Sequence, residues 1–324
     1  MIQYTIKRIL KMIPTLIIIS IIIFAIINLA PGDYLSSEAA QKMSPEKLEQ
    51  LRATLGLDKP LLVRYINWLK GAVTGDLGIS LKYQQPVSTL INTYVWNSFY
   101  LATIAFIISL VIAIPLGILS AVKQYSLFDK GVTLFTFLTL SLPTFFLALI
   151  LIKIFALNLG ILPIGGMTTA GSTATGMERF VDIFKHMVMP CVTLVIIQIG
   201  TTTKYVRTAM LEVIRQDYIR TARAKGLKEK VVIYKHALRN GMIPVVTLIG
   251  LNIPSLFAGA LITETVFIWP GIGKLGYDAI LNRDYILTMG FAMFIAVLTL
   301  IGNLIADILY AVVDPRIKLD KGGK

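Results

Sequence analysis

The sequence predicts an all-α, polytopic membrane protein with six transmembrane helices and both termini in the cytoplasm. Three observations predict it. First, 56 % of the 324 residues are hydrophobic and only 15 % are charged, and the mean hydropathy is +0.75, a composition suited to lipid rather than water. Second, the apolar residues gather in six continuous runs, 9–30, 99–122, 132–157, 187–205, 242–263 and 289–313. Each is close to the roughly 20 residues that a helix needs to cross a bilayer. A spanning strand barrel would alternate polarity over segments of about 10 residues, and these runs do not alternate. Third, lysine and arginine concentrate in alternate connecting segments, the pattern that sets membrane orientation.

The first run follows Lys7, Arg8 and Lys11, the arrangement that also begins a secretory leader. Its apolar stretch is longer than a leader's, and "NLAPGDYL" offers no A-x-A cleavage site. Residues 1–30 are therefore read as an amino-terminal cytoplasmic segment and a retained first span. Residues 31–98 are too long for a simple connection and read as a folded external cap. Ser44-Pro45 has the form of an N-cap with a first-turn proline, followed by Leu48, Leu51 and Leu55 at helical spacing up to Gly56. A second helix is expected across Val63, Ile66, Leu69 and Val73, ending near Gly75. The cap has two readings, a shield for loop ends or a docking surface for an external partner.

Residues 99–313 form the core, with five spans. Lys153 lies near the outer end of the third and can snorkel to the interface. Between the third and fourth, residues 158–187 contain "GGMTTAGSTATG", read as a flexible external loop. Cys191, the sole cysteine, falls in the fourth span and is expected to pack as a small apolar residue. No internal repeat is strong enough to argue an inverted-repeat transporter. Asp307 lies about two turns inside the sixth span, in "NLIADILYAVVDPR", and is read as a structural intramembrane charge rather than a proton relay. Residues 314–324 form a cytoplasmic tail.

Orientation follows the basic residues. Besides the amino-terminal three, Lys123 and Lys130 separate the second and third runs. Lys204, Arg207, Arg215, Arg220, Arg223, Lys225, Lys228, Lys230, Lys235 and Arg239 lie between the fourth and fifth, and Arg316, Lys318, Lys321 and Lys324 in the tail. The opposite short loops hold only Arg179, Lys185, Lys274 and Arg283. The net charge of +13 is thus largely a topological signature. It also suits anionic lipid headgroups, and nothing in it calls for nucleic acid.

Several motifs mislead. "GIGKLG", 271–276, satisfies a dinucleotide-binding pattern, but that pattern needs a preceding strand; here it follows a membrane span and is read as a turn. It fails as a phosphate loop, because residue 268 is isoleucine and Leu275 follows the lysine. Neither H-E-x-x-H nor G-x-S-x-G occurs, and His186 and His236 fall on opposite sides of the expected membrane. No catalytic, metal or cofactor site is expected in this chain.

The basic segment 206–241 is more informative. Tyr205, Ala209 and Val213 carry helical periodicity past the fourth span. Asp217 reads as an N-cap and Gly226 as a left-handed stop, enclosing two turns. Ala222, Ala224 and Gly226 would let a partner's backbone approach closely. Arg220 and Arg223, three apart, are expected to share a face suited to carboxylates, and Tyr218 and Ile219 to need burial.

The stretch "QDYIRTARAKGLKEKVVIYKHALRNGMIPV" resembles the cytoplasmic coupling loop of the ATP-binding-cassette importer permeases, closest to the first permease of the dipeptide and oligopeptide group. "LAPGD", "LGLDKPLLVRYINWLKGAVTGDLGISL", "SLPTF", "ETVFIWPGIGKL" and "GNLIADILYAVVDPRI" extend the resemblance along almost the whole chain in order. The general E-A-A signature is altered, with Arg220, Thr221 and Ala222 in the triplet, and the stretch from Gly226 to Pro244 is longer than the general spacing. The resemblance implies a type I importer permease fold in the cell membrane, with Asp217, Tyr218, Ile219, Arg220, Thr221, Ala222, Arg223, Ala224, Lys225 and Gly226 as the coupling helix. It further implies a second permease, two P-loop ATPase subunits carrying the ATP and magnesium, and an extracellular or periplasmic binding protein. Peptides are the expected cargo; nickel complexes, glutathione and oligosaccharides are carried by similar systems. Thr247, Asn252 and Ser255 in the Pro-containing fifth span are candidate pathway residues, with ordinary interhelical bonding as the competing reading. An ion-driven secondary transporter is the alternative class.

Overall fold

A computed structural model describes residues 2–29 and 59–313, with isolated positions 44, 46, 49 and 52 between them. The first cap helix expected over 44–56 falls largely outside the described residues. So do the tail 314–324 and the side chain of Asp307. All the regular elements described are helical.

Helix α1, Ile2–Leu29, is exposed along most of its length, as an apolar helix bathed in lipid would be. Its buried Ser20 bonds to the Tyr65 hydroxyl at 2.8 Å, and Phe24 meets the Tyr65 ring edge-on at 5.4 Å. These contacts seat α2, Leu61–Val73, the expected second cap helix. Gly75, at φ +88°, turns the chain beyond its end.

Helices α3, Val87–Val122, and α6, Gly176–Ile214, form the central pair. Ala105, Ser109, Ala113 and Gly117 recur every fourth residue on the buried side of α3, the small-residue spacing that lets membrane helices approach closely. A Cβ on Gly117 would lie 2.7 Å from the Val206 Cβ. Cluster membership fixes the pair's sense: Leu101 and Ala105 pack with Cys191 and Val195, while Ile118 and Ala121 pack with Val206 and Met210. The two helices therefore run parallel. Cys191 is buried among apolar side chains, as expected.

The chain returns between them through α4, Leu127–Ser141, and α5, Thr144–Leu151, which continues as a π-helical turn, Ile152–Asn158. The sequence reads this as one straight span, but the two halves meet at 99°. Pro143 explains the bend: proline excludes the preceding residue from helical conformation, and Leu142 is extended at φ −78°, ψ 123°.

The following loop is fastened rather than free. Gly166 N–H donates to the Phe267 carbonyl at 2.8 Å, and Thr169 bonds Asp182 twice, through N–H and Oγ, at 2.8 Å each. Gly165 permits the approach, since a Cβ there would lie 2.5 Å from the Phe267 oxygen. Helix α6 begins at Gly176, well before the expected 187, and its 39 residues extend about 58 Å at 1.5 Å each. That exceeds a hydrocarbon core of about 30 Å, so the helix projects beyond it, as the periodicity of Tyr205, Ala209 and Val213 predicts.

After helix α7, Asp217–Ala224, the short α8, Glu229–Val231, passes through a π turn into α9, Leu238–Ala258. Helix α9 continues past Pro244 and Pro254 and breaks at Gly259, φ +82°. Helices α10, Leu261–Val266, and α11, Ile272–Leu281, form a folded arm before the last span, α12, Tyr285–Val313. Arg8, Lys11 and Met12 of α1 line one small cavity with Leu300, Asn303 and Leu304 of α12. The amino terminus and the far end of α12 thus lie at the same end of the bundle.

Candidate functional site

Helix α7 starts one residue earlier than the reading of Asp217 as its N-cap predicts. Gln216 is the extended N-cap residue, φ −72°, ψ 150°, and its carbonyl accepts from Ile219 and Arg220 at 3.0 and 3.2 Å. Asp217 is the first helical residue, where a carboxylate complements the helix dipole. The stop is as expected: Gly226 has φ +75° and donates to the Arg223 carbonyl at 2.9 Å. No heavy atom lies within 4 Å of where its Cβ would be, so conformation, not space, calls for glycine.

One face of α7 belongs to the chain's own core. Ile219 is 0 % and Ala222 7 % exposed, packed with Ile118 and Ala121 of α3, Val206 and Met210 of α6, and Val232, Ile233, Ala237 and Val245. The expectation that Ala222 lies open to a partner is therefore corrected. Tyr218 and Arg223 flank this inner face. Asn240 Nδ2 donates to the Tyr218 hydroxyl at 2.9 Å, but Tyr218 is 42 % exposed, so of the two residues expected to need burial only Ile219 is buried. Arg223 grips Glu229 through two bonds, 2.7 and 3.1 Å, and that carboxylate holds its guanidinium pKa above the ordinary value. Arg220, Thr221, Ala224 and Lys225 remain exposed. The two arginines lie about 60° apart, as their spacing predicts, but only Arg223 takes a carboxylate of the chain itself.

The candidate pathway residues sit apart from α7. Thr247 is buried; Asn252 Nδ2 donates to the Leu248 carbonyl at 2.8 Å, and Ser255 Oγ, on an exposed residue, donates to the Asn252 carbonyl at 2.7 Å. Both bonds turn back onto α9 itself.

Three buried carboxylates were not singled out from the sequence. Asp129, at the start of α4, pairs with Arg207 of α6 through Nε–Oδ1 at 2.7 Å and Nη2–Oδ2 at 2.9 Å, and also bonds Ser120 of α3 and the Tyr125 N–H. The signal was present: Ser126 caps α4 by accepting from Asp129 N–H at 3.2 Å, so "SLFD" is a capping sequence. Glu264 of α10 is wholly buried, accepting from Ser98 Oγ (2.6 Å), Ala260 N–H and Lys274 N–H (both 2.9 Å). Ser98 Oγ in turn accepts from Ile272 N–H at 2.7 Å. "GIGKLG" is therefore no turn but a helix start. Its glycines make room: a Cβ on Gly271 would lie 2.2 Å from the Glu264 Cδ, and one on Gly276 2.3 Å from Phe291. Asp284, equally buried, caps α12 through Leu287 N–H (3.1 Å) and holds the cap segment through Ser80 Oγ (2.6 Å) and Lys82 N–H (3.1 Å).

Comparison with known proteins gives the family. Residues 113–319 match the model described as binding-protein-dependent transport system inner membrane component, and residues 1–113 match its amino-terminal companion. The chain is 43 % identical to the oligopeptide transport system permease protein AppB of Bacillus subtilis (strain 168), covering 98 % of this chain and all of that one. It is 38 % identical to the dipeptide transport system permease protein DppB of Escherichia coli (strain K12), covering 99 % and 100 %. Among solved structures, a chain of the MetNI methionine ABC transporter in an inward-facing conformation superposes with a TM-score of 0.52 at 16 % identity, over 69 % of this chain and 96 % of that one. That likeness speaks for the fold. A multi-pass inner-membrane transport permease rather than an enzyme, the chain belongs to the binding-protein-dependent transport system inner membrane component family.

Proposed function

We propose that this chain is half of an ATP-driven import pathway for dipeptides and oligopeptides, and that α7 is its mechanical joint to a separate ATPase. The observation that carries the joint is the division of α7 between two environments. Ile219 and Ala222 bury it in a core shared with α3, α6 and the start of α9, while its opposite side is left uncovered. A push on the outer face must move the three membrane helices together, because close-packed interiors transmit displacement rather than absorb it.

The basic end, with both termini, faces the cytoplasm by the charge rule. ATP and magnesium are handled by two ATPase subunits, one seated on this chain and one on a second, similar permease. The cap, with α2, receives an external binding protein that selects the peptide. Thr247, Asn252 and Ser255 of α9 are retained as candidate pathway residues, the exposed Ser255 foremost.

The test uses the full complex in proteoliposomes with its binding protein, following ATP-driven uptake of a labelled dipeptide. Gly226→Trp places bulk where the structure leaves open space and should abolish uptake and ATPase association while membrane insertion persists. Gly226→Asn, which tolerates the left-handed conformation, should retain both. Normal uptake by Gly226→Trp would overturn the joint.

A further inference from the structure

We infer that the ATPase groove that receives α7 is rimmed by carboxylates, and that Arg220 is the residue that reads it, while Arg223 is an internal brace. The inference rests on the coupling reading of α7 and specifies the chemistry of its partner. At about 100° per residue, Ile219 and Ala222 define an inward direction, and the other side chains can be placed around it. Tyr218 and Arg223 fall about 70° to either side, and each is tied back to the chain, one by Asn240 and the other by Glu229. Asp217, Arg220, Thr221 and Ala224 lie on the outward half. Small Thr221 and Ala224 let a partner surface come close. Arg220 is exposed and, among the described residues, makes no ion pair, not even to Asp217 three residues earlier.

The surrounding charge points the same way. From 215 to 230 the chain carries Arg215, Arg220, Arg223, Lys225, Lys228 and Lys230 against Asp217 and Glu229. Once Arg223 and Glu229 neutralise each other, five cations face one acid. A protein groove closing on such a surface without acids would bury guanidinium and ammonium groups unpaired, which strongly disfavours association. With carboxylates at its rim, the same groove gains charge-assisted, bidentate bonds from Arg220 and a faster, salt-sensitive encounter. Anionic lipid is the competing partner for these cations, but the outward placement of Arg220 beside two small residues fits a close protein contact.

The experiment measures ATPase association with the permease pair in nanodiscs of phosphatidylcholine, with and without phosphatidylglycerol, from 50 to 300 mM salt. Arg220→Glu should weaken association at least tenfold and flatten its salt dependence, equally in both lipids. Arg223→Glu should weaken it less, and the swap Arg223→Glu with Glu229→Arg should restore it. Wild-type association by Arg220→Glu, or a swap that fails to restore, overturns the inference. A defect seen only with phosphatidylglycerol assigns the patch to lipid and also overturns it. Gly226→Trp separates the two levels: if it releases the ATPase while Arg220→Glu does not, the joint stands and its charge chemistry fails. If neither releases it, the joint itself fails.

Discussion

The two ends of the central helix pair solve the problem of buried charge differently. At the end where α3 begins, Glu264 and Asp284 are wholly buried and take their hydrogen bonds from backbone N–H groups and serine hydroxyls. At the end where α3 finishes, Asp129 meets a guanidinium that keeps some contact with solvent. A carboxylate fed by helix N-termini fixes backbone to backbone and leaves little freedom. An arginine pair joins side chains that can re-form in another arrangement. The first end is built as a latch that folds the α10–α11 arm onto α3. The second lies next to the core that seats α7, the helix proposed as the joint.

The largest expected effect tests the latch. Glu264→Ala leaves the Ala260 and Lys274 N–H groups buried without acceptors, which costs about 1–3 kcal/mol for each. Thermal unfolding of the detergent-solubilised chain should show a severe loss, with Glu264→Gln intermediate because it keeps one acceptor oxygen. No second substitution should fully rescue Glu264→Ala, since two of its three partners are main-chain N–H groups. A wild-type melting curve would mean that the carboxylate is dispensable to the arm.

Asp129→Leu comes next, at about 2–4 kcal/mol, because it strands Arg207 and the Tyr125 N–H. Here rescue is expected. Adding Arg207→Met should recover most of the loss, as apolar replacement of a buried pair commonly does. Failure of the double variant to recover would show that the pair is as rigid as the latch, and the contrast between the ends would collapse. Gly271→Ala is smaller, about 1–3 kcal/mol by overpacking, because its Cβ would intrude on Glu264. The same thermal measurement applies, and an unchanged midpoint would mean that the arm yields freely.

The sequence made some of this visible and hid the rest for physical reasons. The spans were legible because hydropathy is a local property, and the stop at Gly226 because left-handed backbone selects glycine. The bend at Pro143 was written in "SLPTF", since proline acts on its neighbour without any tertiary contact. By contrast, the loop around Gly165 reads as flexible from composition, although its anchor, the Phe267 carbonyl, lies about a hundred residues away. Glu264 borders an apolar run, but its acceptor role depends on N–H groups that no side chain advertises. For Arg220 and Arg223, three-residue spacing gives the relative angle only, and does not say that Glu229 occupies one of them. Which of them faces outward is set by where Ile219 finds its core.

The smallest effect belongs to the brace. Arg223 and Glu229 are 43 % and 57 % exposed, and surface pairs contribute about 0–1 kcal/mol, less in salt. Glu229→Gln should therefore leave the melting midpoint nearly unchanged. What it should alter is local order: with the brace weakened, α7 is held to the chain mainly by Ile219 and Ala222, and its amides should exchange hydrogen faster while those of α6 do not. Opening of this kind draws on local rather than global stability. The joint proposed for α7 needs that separation, because such a joint must keep its angle under load without stiffening the bundle. If Glu229→Gln instead lowers the midpoint by several degrees and leaves α7 exchange untouched, the pair supports the fold as a whole, and the orientation of α7 rests on its apolar face alone.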